Sequence, residues 1–545
     1  MPKSMTGGDA VYETLRALDV DTVFGIPSVH NIPIYDAILR LGGITPISVR
    51  HEQGAVHAAD GYARATGKLG VAITSTGPGT TNAMTGLFEA GFASSKVLMI
   101  TGQVESLHYG KGKGVLHEAE NQLTMLKQVT GSAASVRRPE EVGETLFRVA
   151  RDVSTGRPQP GAVEIPIDFQ FATAEIDIPH QEGWDRAAPT DDALSQAVDA
   201  VSGAKRLAIW AGGGVINANA FAELTQLAER LNAPVFTSTN GRGSIPEDHT
   251  LAMGPTTGLP ACAAVLSEAD VVLAVGTRFQ GGATQNWALP INGTLVHLDV
   301  DPAVINRNYK ADVAVVADAR LGLAGLLRQV SGDGNEAAYT ERAQAARDEA
   351  RAEMRAQIGP DYESIMDAMR AALPSDANIV RDATVPAYTW GNRLFPILEP
   401  RTSIGSTSAA IGPGLPLAIG AAIGSGKKTA LIQGDGGFML NLSELATAAQ
   451  YELPLIICLF NDEGYGVLRM IQSRTFEGRE VGVDLHTPDF VQVSQGMGIS
   501  AERVTGVAEF EAAFSRAVAA EGPVLLDIDM SVLEPMSFGA PPRRD

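Results

Sequence analysis

Asp435 and Asp462 are the residues of this sequence best placed, by type and spacing, to do chemistry together. The stretch 429–466 opens on an apolar run, Ala430, Leu431 and Ile432, that leads into Gly434-Asp435-Gly436-Gly437. It continues through a helix-patterned segment at 441–451 and returns as a second apolar run at 455–460, followed by Asn461-Asp462. Strand, helix and strand in that order make a βαβ unit, which sets both aspartates at the carboxyl edge of a parallel sheet, where open α/β folds bind ligands. Bare glycines beside Asp435 let backbone N–H groups approach a phosphate, and two hard carboxylates suit Mg²⁺, which takes one or two of them plus phosphate oxygens. The unit predicts a cradle for a metal-bound diphosphate. The nearby Gly424-Ser425-Gly426-Lys427-Lys428-Thr429 is no second phosphate loop, because Lys428 stands where Ser or Thr is required and position 421 is Ala.

A cradle of this kind needs sheets to hold it. At 545 residues the chain exceeds one hydrophobic core and, at about 150 residues each, implies roughly three domains. A hydrophobic content of 45% with 58 glycines and 30 prolines fits an α/β protein with many tight turns. The net charge of −21 argues against nucleic acid or an anionic membrane surface as a partner, since both demand clustered Lys and Arg. No apolar run reaches the ~18 residues of a membrane span, and the N-terminus lacks a basic-then-apolar signal pattern, so a cytoplasmic protein is expected. Cys262 and Cys458 read as structural thiols, Cys458 lying within a strand-like run.

In the first part of the chain, apolar runs at 22–26, 45–49, 71–75 and 97–101 alternate with helical patterns at 32–41, 54–66 and from the Gly77-Pro78-Gly79 turn to 93, which predicts a parallel sheet covered on both faces. A Pro-rich passage at 157–166 and a polar linker at 176–190 follow. A second unit carries strands at 206–210, 271–276 and 295–300, with Gly212-Gly213-Gly214 after the first. The charged, Ala-rich segment 337–358 reads as an exposed helix leading to a third unit, which begins with a strand at 378–381 and the turn Asp382-Ala383-Thr384. Expected domains are 1–175, 191–345 and 360–535, and the last twenty residues, ending in Pro541-Pro542-Arg543-Arg544-Asp545, read as a flexible closing tail.

Taken in order, these motifs resemble those of the thiamine diphosphate (ThDP) enzymes. Gly434-Asp435-Gly436 and Asn461-Asp462, with Asp462 27 positions after Asp435, resemble that family's Gly-Asp-Gly and Asn-Asn pair, with Asp in place of the second Asn. The run Arg50-His51-Glu52-Gln53-Gly54-Ala55, continuing to Ala59, Gly61, Tyr62, Ala63 and Arg64, resembles its pyrimidine-binding sequence. Ser75-Thr76-Gly77-Pro78-Gly79-Thr80-Thr81-Asn82, Val23-Phe24-Gly25-Ile26-Pro27 with Ser28 in place of a glycine, and Ile411-Gly412-Pro413-Gly414-Leu415-Pro416 resemble further family motifs.

The resemblance implies an α/β, three-domain thiamine diphosphate-binding fold, each domain a parallel sheet flanked by helices: a pyrimidine domain, a central Rossmann-like domain and a diphosphate domain. It implies Mg²⁺ held by Asp435, Asp462 and the Gly464 carbonyl, and a cofactor lined by Pro78, Asn82, Thr384, Gly434, Gly436, Gly437, Tyr465 and Gly466. Ile411 would prop the cofactor's bend, the Ala409 carbonyl would receive its pyrimidine amine, and Glu52 would share a proton with pyrimidine N1′. Taken alone, a carboxylate at a helix start is a dipole feature, Ile411 is core packing and single histidines are surface groups; context favours the functional readings. Ser28, His30, Val467, Leu468 and Ile471 are expected on the substrate side, with His30 and His117 as candidates to move a proton.

The activity implied is loss of CO₂ from a 2-oxo acid to give an aldehyde, with carboligation possible. The second reading is an acetolactate synthase-type transferase joining two 2-oxo acids; the remote one is a ThDP-binding protein without turnover. Acetolactate synthases carry Gln at the position of His117, Trp at that of Ile471, and a second Arg where this chain continues Arg278-Phe279-Gln280-Gly281-Gly282. FAD is therefore not expected, although members of the family can carry it in the central domain. The resemblance also implies a homodimer or homotetramer with active sites at subunit interfaces.

Overall fold

Short apolar runs punctuated by glycine and proline become three six-stranded, fully parallel sheets in the computed structural model, which describes residues 2–180 and 183–537. The first sheet has the order Thr45–Ser48, Thr22–Gly25, Gly70–Thr74, Val97–Gln103, Gly161–Pro166, Ser132–Ser135. The second runs Ala252–Gly254, Val235–Thr237, Leu207–Ala211, Val271–Val275, Thr294–Asp299, Val313–Val316. The third runs Ser403–Gly405, Asn378–Arg381, Thr429–Gly434, Leu455–Asn461, Val524–Asp529, Ser500–Val504. Each chain path starts inside its sheet, moves to one edge, then crosses back to continue on the other side. That reversal leaves a crevice at the carboxyl ends of two adjacent strands, the place where such sheets take ligands. The crevices are followed in sequence by Ser28–His30 and Ser75–Gly77 in the first sheet, by Gly212–Gly214 and Gly276–Arg278 in the second, and by Asp382–Thr384 and Asp435 in the third.

Helix Glu52–Thr66 starts two residues earlier than its pattern predicts, because His51 caps it by accepting the Gln53 N–H at 3.1 Å. It lies against helix Gly414–Ser425 of the third unit. Small residues permit the contact: a Cβ at Gly61 would stand 2.0 Å from the Leu417 carbonyl, and one at Gly420 1.8 Å from that of Ala58. Arg64, half-buried and paired with the buried Asp60 and Glu89, donates to the Gly405 carbonyl at 2.6 Å, while Glu89 accepts the N–H groups of Thr407 and Ser408. Breaking a buried pair of this kind costs about 3–5 kcal/mol, so the network fixes the first and third units against each other.

Four expectations need correction. The Pro-rich passage contains a strand, Gly161–Pro166, hydrogen-bonded between Val97–Gln103 and Ser132–Ser135. The helix at 337–358 is not an exposed rod: it runs Ala337–Ala372 with a break at Gly359, where φ is 79°. Tyr339, Ala343, Ala346 and Ala350 pack into the second unit's core, and Met354, Ile358 and Tyr362 into the third's. The helical pattern at 441–451 divides into a 3₁₀ turn, Met439–Glu444, and a short α-helix, Leu445–Gln450. The last twenty residues do not all form a tail: they begin within strand Val524–Asp529, hydrogen-bonded between Leu455–Asn461 and Ser500–Val504, and continue through a 3₁₀ turn, Met530–Val532, while 538–545 lie outside the described residues. Among the described residues no helix is long and apolar enough to cross a membrane.

Candidate active site

At the first sheet's crevice, Glu52 stands at the start of its helix and its Oε2 accepts from Asn82 Nδ2 at 3.0 Å. Asn82 lies on helix Pro78–Ala93, so the Glu52 carboxylate is held between two helix starts. A Cβ at Gly79 would sit 3.2 Å from Glu52 Oε1 and 2.9 Å from Ser75 Cβ, so the bare glycine lets both side chains close in. Ser75 Oγ is 3.4 Å from His30 Nδ1 and 3.2 Å from His117 Nδ1, and the two imidazole centroids are 5.2 Å apart. A hydroxyl carries one hydrogen and free lone pairs, so Ser75 can donate to one ring while accepting from the other. Burial, and next the neighbouring His117, lower the pKa of His30, which favours its neutral form.

The loops around this trio are braced from beneath. Gln122 accepts from Thr76 Oγ1 at 2.8 Å and from the Gly77 N–H at 2.9 Å, and both Gln122 and Gln103 donate to buried Glu164. Gly77 has φ 59°, and a Cβ there would strike the His117 carbonyl at 2.4 Å. His117 is itself at φ 63°, a conformation few non-glycine residues adopt. Ser28 Oγ accepts the His30 N–H at 3.2 Å.

The third sheet's crevice holds the second group. Asp435 is fully buried at the end of Thr429–Gly434, and its carboxylate accepts the Gly464 N–H at 2.8 Å. Burial, then the adjacent Asp462 carboxylate, push Asp435 up to about 7, and burial raises Asp462 as well. Two carboxylates that repel each other in a desolvated pocket favour a cation between them. Asp382 accepts the N–H groups of Gly412 and Gly414 at 2.9 and 2.7 Å, which pins the turn bearing Ile411. Ile411 lies over Gly437, where a Cβ would be 3.1 Å from its Cγ1. Ala409 precedes this turn at φ 63°. Leu468 and Ile471 are exposed and Val467 half-buried on helix Gly466–Thr475.

The donor set fits Mg²⁺ and a diphosphate. A Cβ at Gly434 would meet Thr384 Oγ1 at 2.8 Å, one at Gly436 the Tyr465 ring at 2.7 Å, and one at Gly437 Gln433 Nε2 at 3.0 Å, so the backbone must stay bare along the cradle. No group of three or more His, Cys, Asp or Glu side chains suited to a metal occurs among the described residues. Two carboxylates and a carbonyl, completed by phosphate and water, are what Mg²⁺ accepts.

Models of the thiamine pyrophosphate enzymes match all three units: the N-terminal TPP binding domain at residues 5–125, the central domain at 194–326 and the C-terminal TPP binding domain at 386–528. The chain belongs to the thiamine diphosphate enzymes. Among its relatives, a probable 2-ketoarginine decarboxylase of Pseudomonas aeruginosa is 35% identical, over 96% of this chain and 94% of that one. A probable acetolactate synthase large subunit of Methanocaldococcus jannaschii is 32% identical over 98% and 94%, and the Corynebacterium glutamicum acetolactate synthase large subunit 33% over 96% and 87%.

In this ThDP enzyme, among the described residues, no hydrogen bond links the Glu52–Ser75 group to the Asp435–Asp462 group. The second sheet's crevice opens into a cavity of about 710 Å³ lined by Gly213, Gly214, Arg157, Arg278, Gln280 and Asp299, a volume that suits a nucleotide-sized ligand. Three contributors escape a reading of the sequence. Ser75 reads only as part of a turn, and its partners stand 45 and 42 positions away. Asp382 reads as part of a lining turn, whereas it is the brace of Ile411. Glu444 gives no signal at all, yet accepts the N–H groups of Arg50 and His51 at 3.0 and 3.1 Å, just before Glu52.

Proposed function

We propose that this ThDP enzyme is a cytoplasmic 2-oxo acid decarboxylase that releases the corresponding aldehyde, with Mg²⁺ as its metal and carboligation as a side activity. The observation that carries the reading is the pair of imidazoles sharing Ser75 beside Glu52. Aldehyde release consumes a proton: a 2-oxo acid anion plus H⁺ gives CO₂ and the aldehyde. Two histidines joined through one hydroxyl can hold and deliver that proton.

When bound, ThDP supplies the electron sink for the bond to the leaving carboxylate. Glu52 holds a proton at the pyrimidine N1′ and Asn82 keeps its carboxylate oriented. Ile411 would prop the cofactor and the Ala409 carbonyl would receive its pyrimidine amine. Asp435, Asp462 and the Gly464 carbonyl hold Mg²⁺ against the diphosphate, with Thr384, Gly434, Gly436, Gly437, Tyr465 and Gly466 around it. Pro78 would line the cofactor, and Ser28, Val467, Leu468 and Ile471 would lie on the substrate side. The domains proposed are 1–175, 191–345 and 360–535. Because no hydrogen bond joins the two groups within the described residues of one chain, and Val29, Ile32, Leu116, Met439, Leu440 and Ile471 lie exposed on the same two units, a second copy is proposed to complete each site.

The relative called a 2-ketoarginine decarboxylase supports the first reading, and the acetolactate synthases among the relatives support a synthase as the second. His117 and Ile471, at positions where the family resemblance implies Gln and Trp in acetolactate synthases, favour decarboxylation. The test is a panel of 2-oxo acids with CO₂, aldehyde and hydroxyketone quantified. Aldehyde as the main product is expected; acetolactate-type product from pyruvate as the main product would establish the synthase. The central cavity is proposed to work without FAD, since Gln280-Gly281-Gly282 supplies no second arginine. Purified protein should show no visible flavin absorption, and a yellow preparation that releases FAD on denaturation would overturn this.

A further inference from the structure

We infer that Arg469 is the counter-charge that allows a carboxylate to serve at position 462, so that one side of the Mg²⁺–diphosphate site is an Asp462–Arg469 pair. The inference rests on the cofactor assignment above and deepens it. Asp462 adds a negative charge beside Asp435, where a diphosphate is to bind, and a neutral amide would not. Left uncompensated, that charge would oppose the diphosphate through Coulomb repulsion in a partly desolvated pocket.

Arg469 answers it from the first turn of helix Gly466–Thr475. Its Nη1 lies 3.4 Å from Asp462 Oδ2 and 3.3 Å from the Asp462 carbonyl, its Nη2 3.4 Å from the Glu463 carbonyl, and its Nε 3.0 Å from Asp484 Oδ1. One planar guanidinium thus holds the whole loop that offers Asp462 and the Gly464 carbonyl to the metal, which the point charge of a lysine would not do. The loop is shaped around the pair. A Cβ at Gly464 would strike Arg469 Nη2 at 2.3 Å, and one at Gly466 would strike Asp462 Oδ2 at 1.8 Å. Both partners are largely withdrawn from solvent, with side chains 27% and 22% exposed, so the contact is shielded more than an ordinary surface ion pair. Leu468 and Ile471 share the helix, and the same guanidinium therefore ties the metal loop to the face expected to meet substrate.

The test is a double-mutant cycle read by binding alone, which separates it from the decarboxylase reading. ThDP is titrated by calorimetry at fixed Mg²⁺, and Mg²⁺ at fixed ThDP, into full-length wild type, Arg469→Met, Asp462→Asn and the double variant. Thermal unfolding confirms that each is folded. Arg469→Met is expected to weaken Mg²⁺-dependent ThDP binding about tenfold or more, while the double variant returns to within about threefold of wild type. Arg469→Lys, which keeps the charge and not the fork, is expected to fall between Met and wild type. An Arg469→Met affinity within about twofold of wild type, or the same loss in the Asp462→Asn background, would show an incidental ion pair and overturn the inference. Wild-type protein that binds no ThDP would overturn the cofactor assignment with it.

Discussion

Glu52→Gln protein is expected to turn over about 10²–10⁴-fold more slowly than wild type while still binding ThDP, which is the range attributed to a positioned proton-transfer group. The amide keeps the shape of the carboxylate and can still meet Asn82, so helix Glu52–Thr66 and its His51 cap should be unchanged. What is lost is the ability to take a proton at the pyrimidine N1′. A residue present only to complement the helix dipole would be worth a few tenths to one kcal/mol of stability, with little effect on rate. Steady-state turnover alongside ThDP titration separates the two: full turnover in the variant would remove Glu52 from the chemistry.

The second large effect concerns the metal and the partner copy. Asp435→Ala is expected to reduce Mg²⁺-dependent ThDP affinity at least about 100-fold, because it removes the buried carboxylate proposed as a metal ligand and leaves the Gly464 N–H without its acceptor. Alone, Asp435→Ala and Glu52→Gln proteins are each expected to be inactive. Mixed, dissociated and reassembled at random, they should recover about one quarter of wild-type activity, since half the dimers are hybrids and each hybrid has one intact site. Sites contained within a single chain would recover nothing, so the mixture decides whether Glu52 and Asp435 meet across copies.

Much of the fold is visible in the sequence wherever glycine and proline punctuate strong apolar runs. The helix pattern at 32–41 is the helix Ile32–Leu41, and the strand at 378–381 is Asn378–Arg381. Strand Gly161–Pro166 is obscured because its prolines read as loop, whereas pairing with Val97–Gln103 and Ser132–Ser135 decides its state. The buried stripe of Ala337–Ala372 is obscured because its core positions are mostly alanines among charges, and alanine carries little hydrophobic signal. At the site, Glu52 and Asp435 stand out through local motifs. The Ser75 bridge does not, because it depends on how the loop to His117 returns to the sheet, with His117 at φ 63°. Arg469 lies beyond a sequence reading for a similar reason: its importance comes from the four acceptor atoms that the fold gathers around it.

The most direct test of decarboxylation is the ratio of CO₂ released to 2-oxo acid consumed, measured on the best substrate of the panel with purified, ThDP- and Mg²⁺-loaded protein. A decarboxylase releases one CO₂ for every 2-oxo acid consumed and accumulates aldehyde in equal amount, and that is the result predicted. One CO₂ for every two 2-oxo acids, with an acetolactate-type product and no free aldehyde, would contradict it.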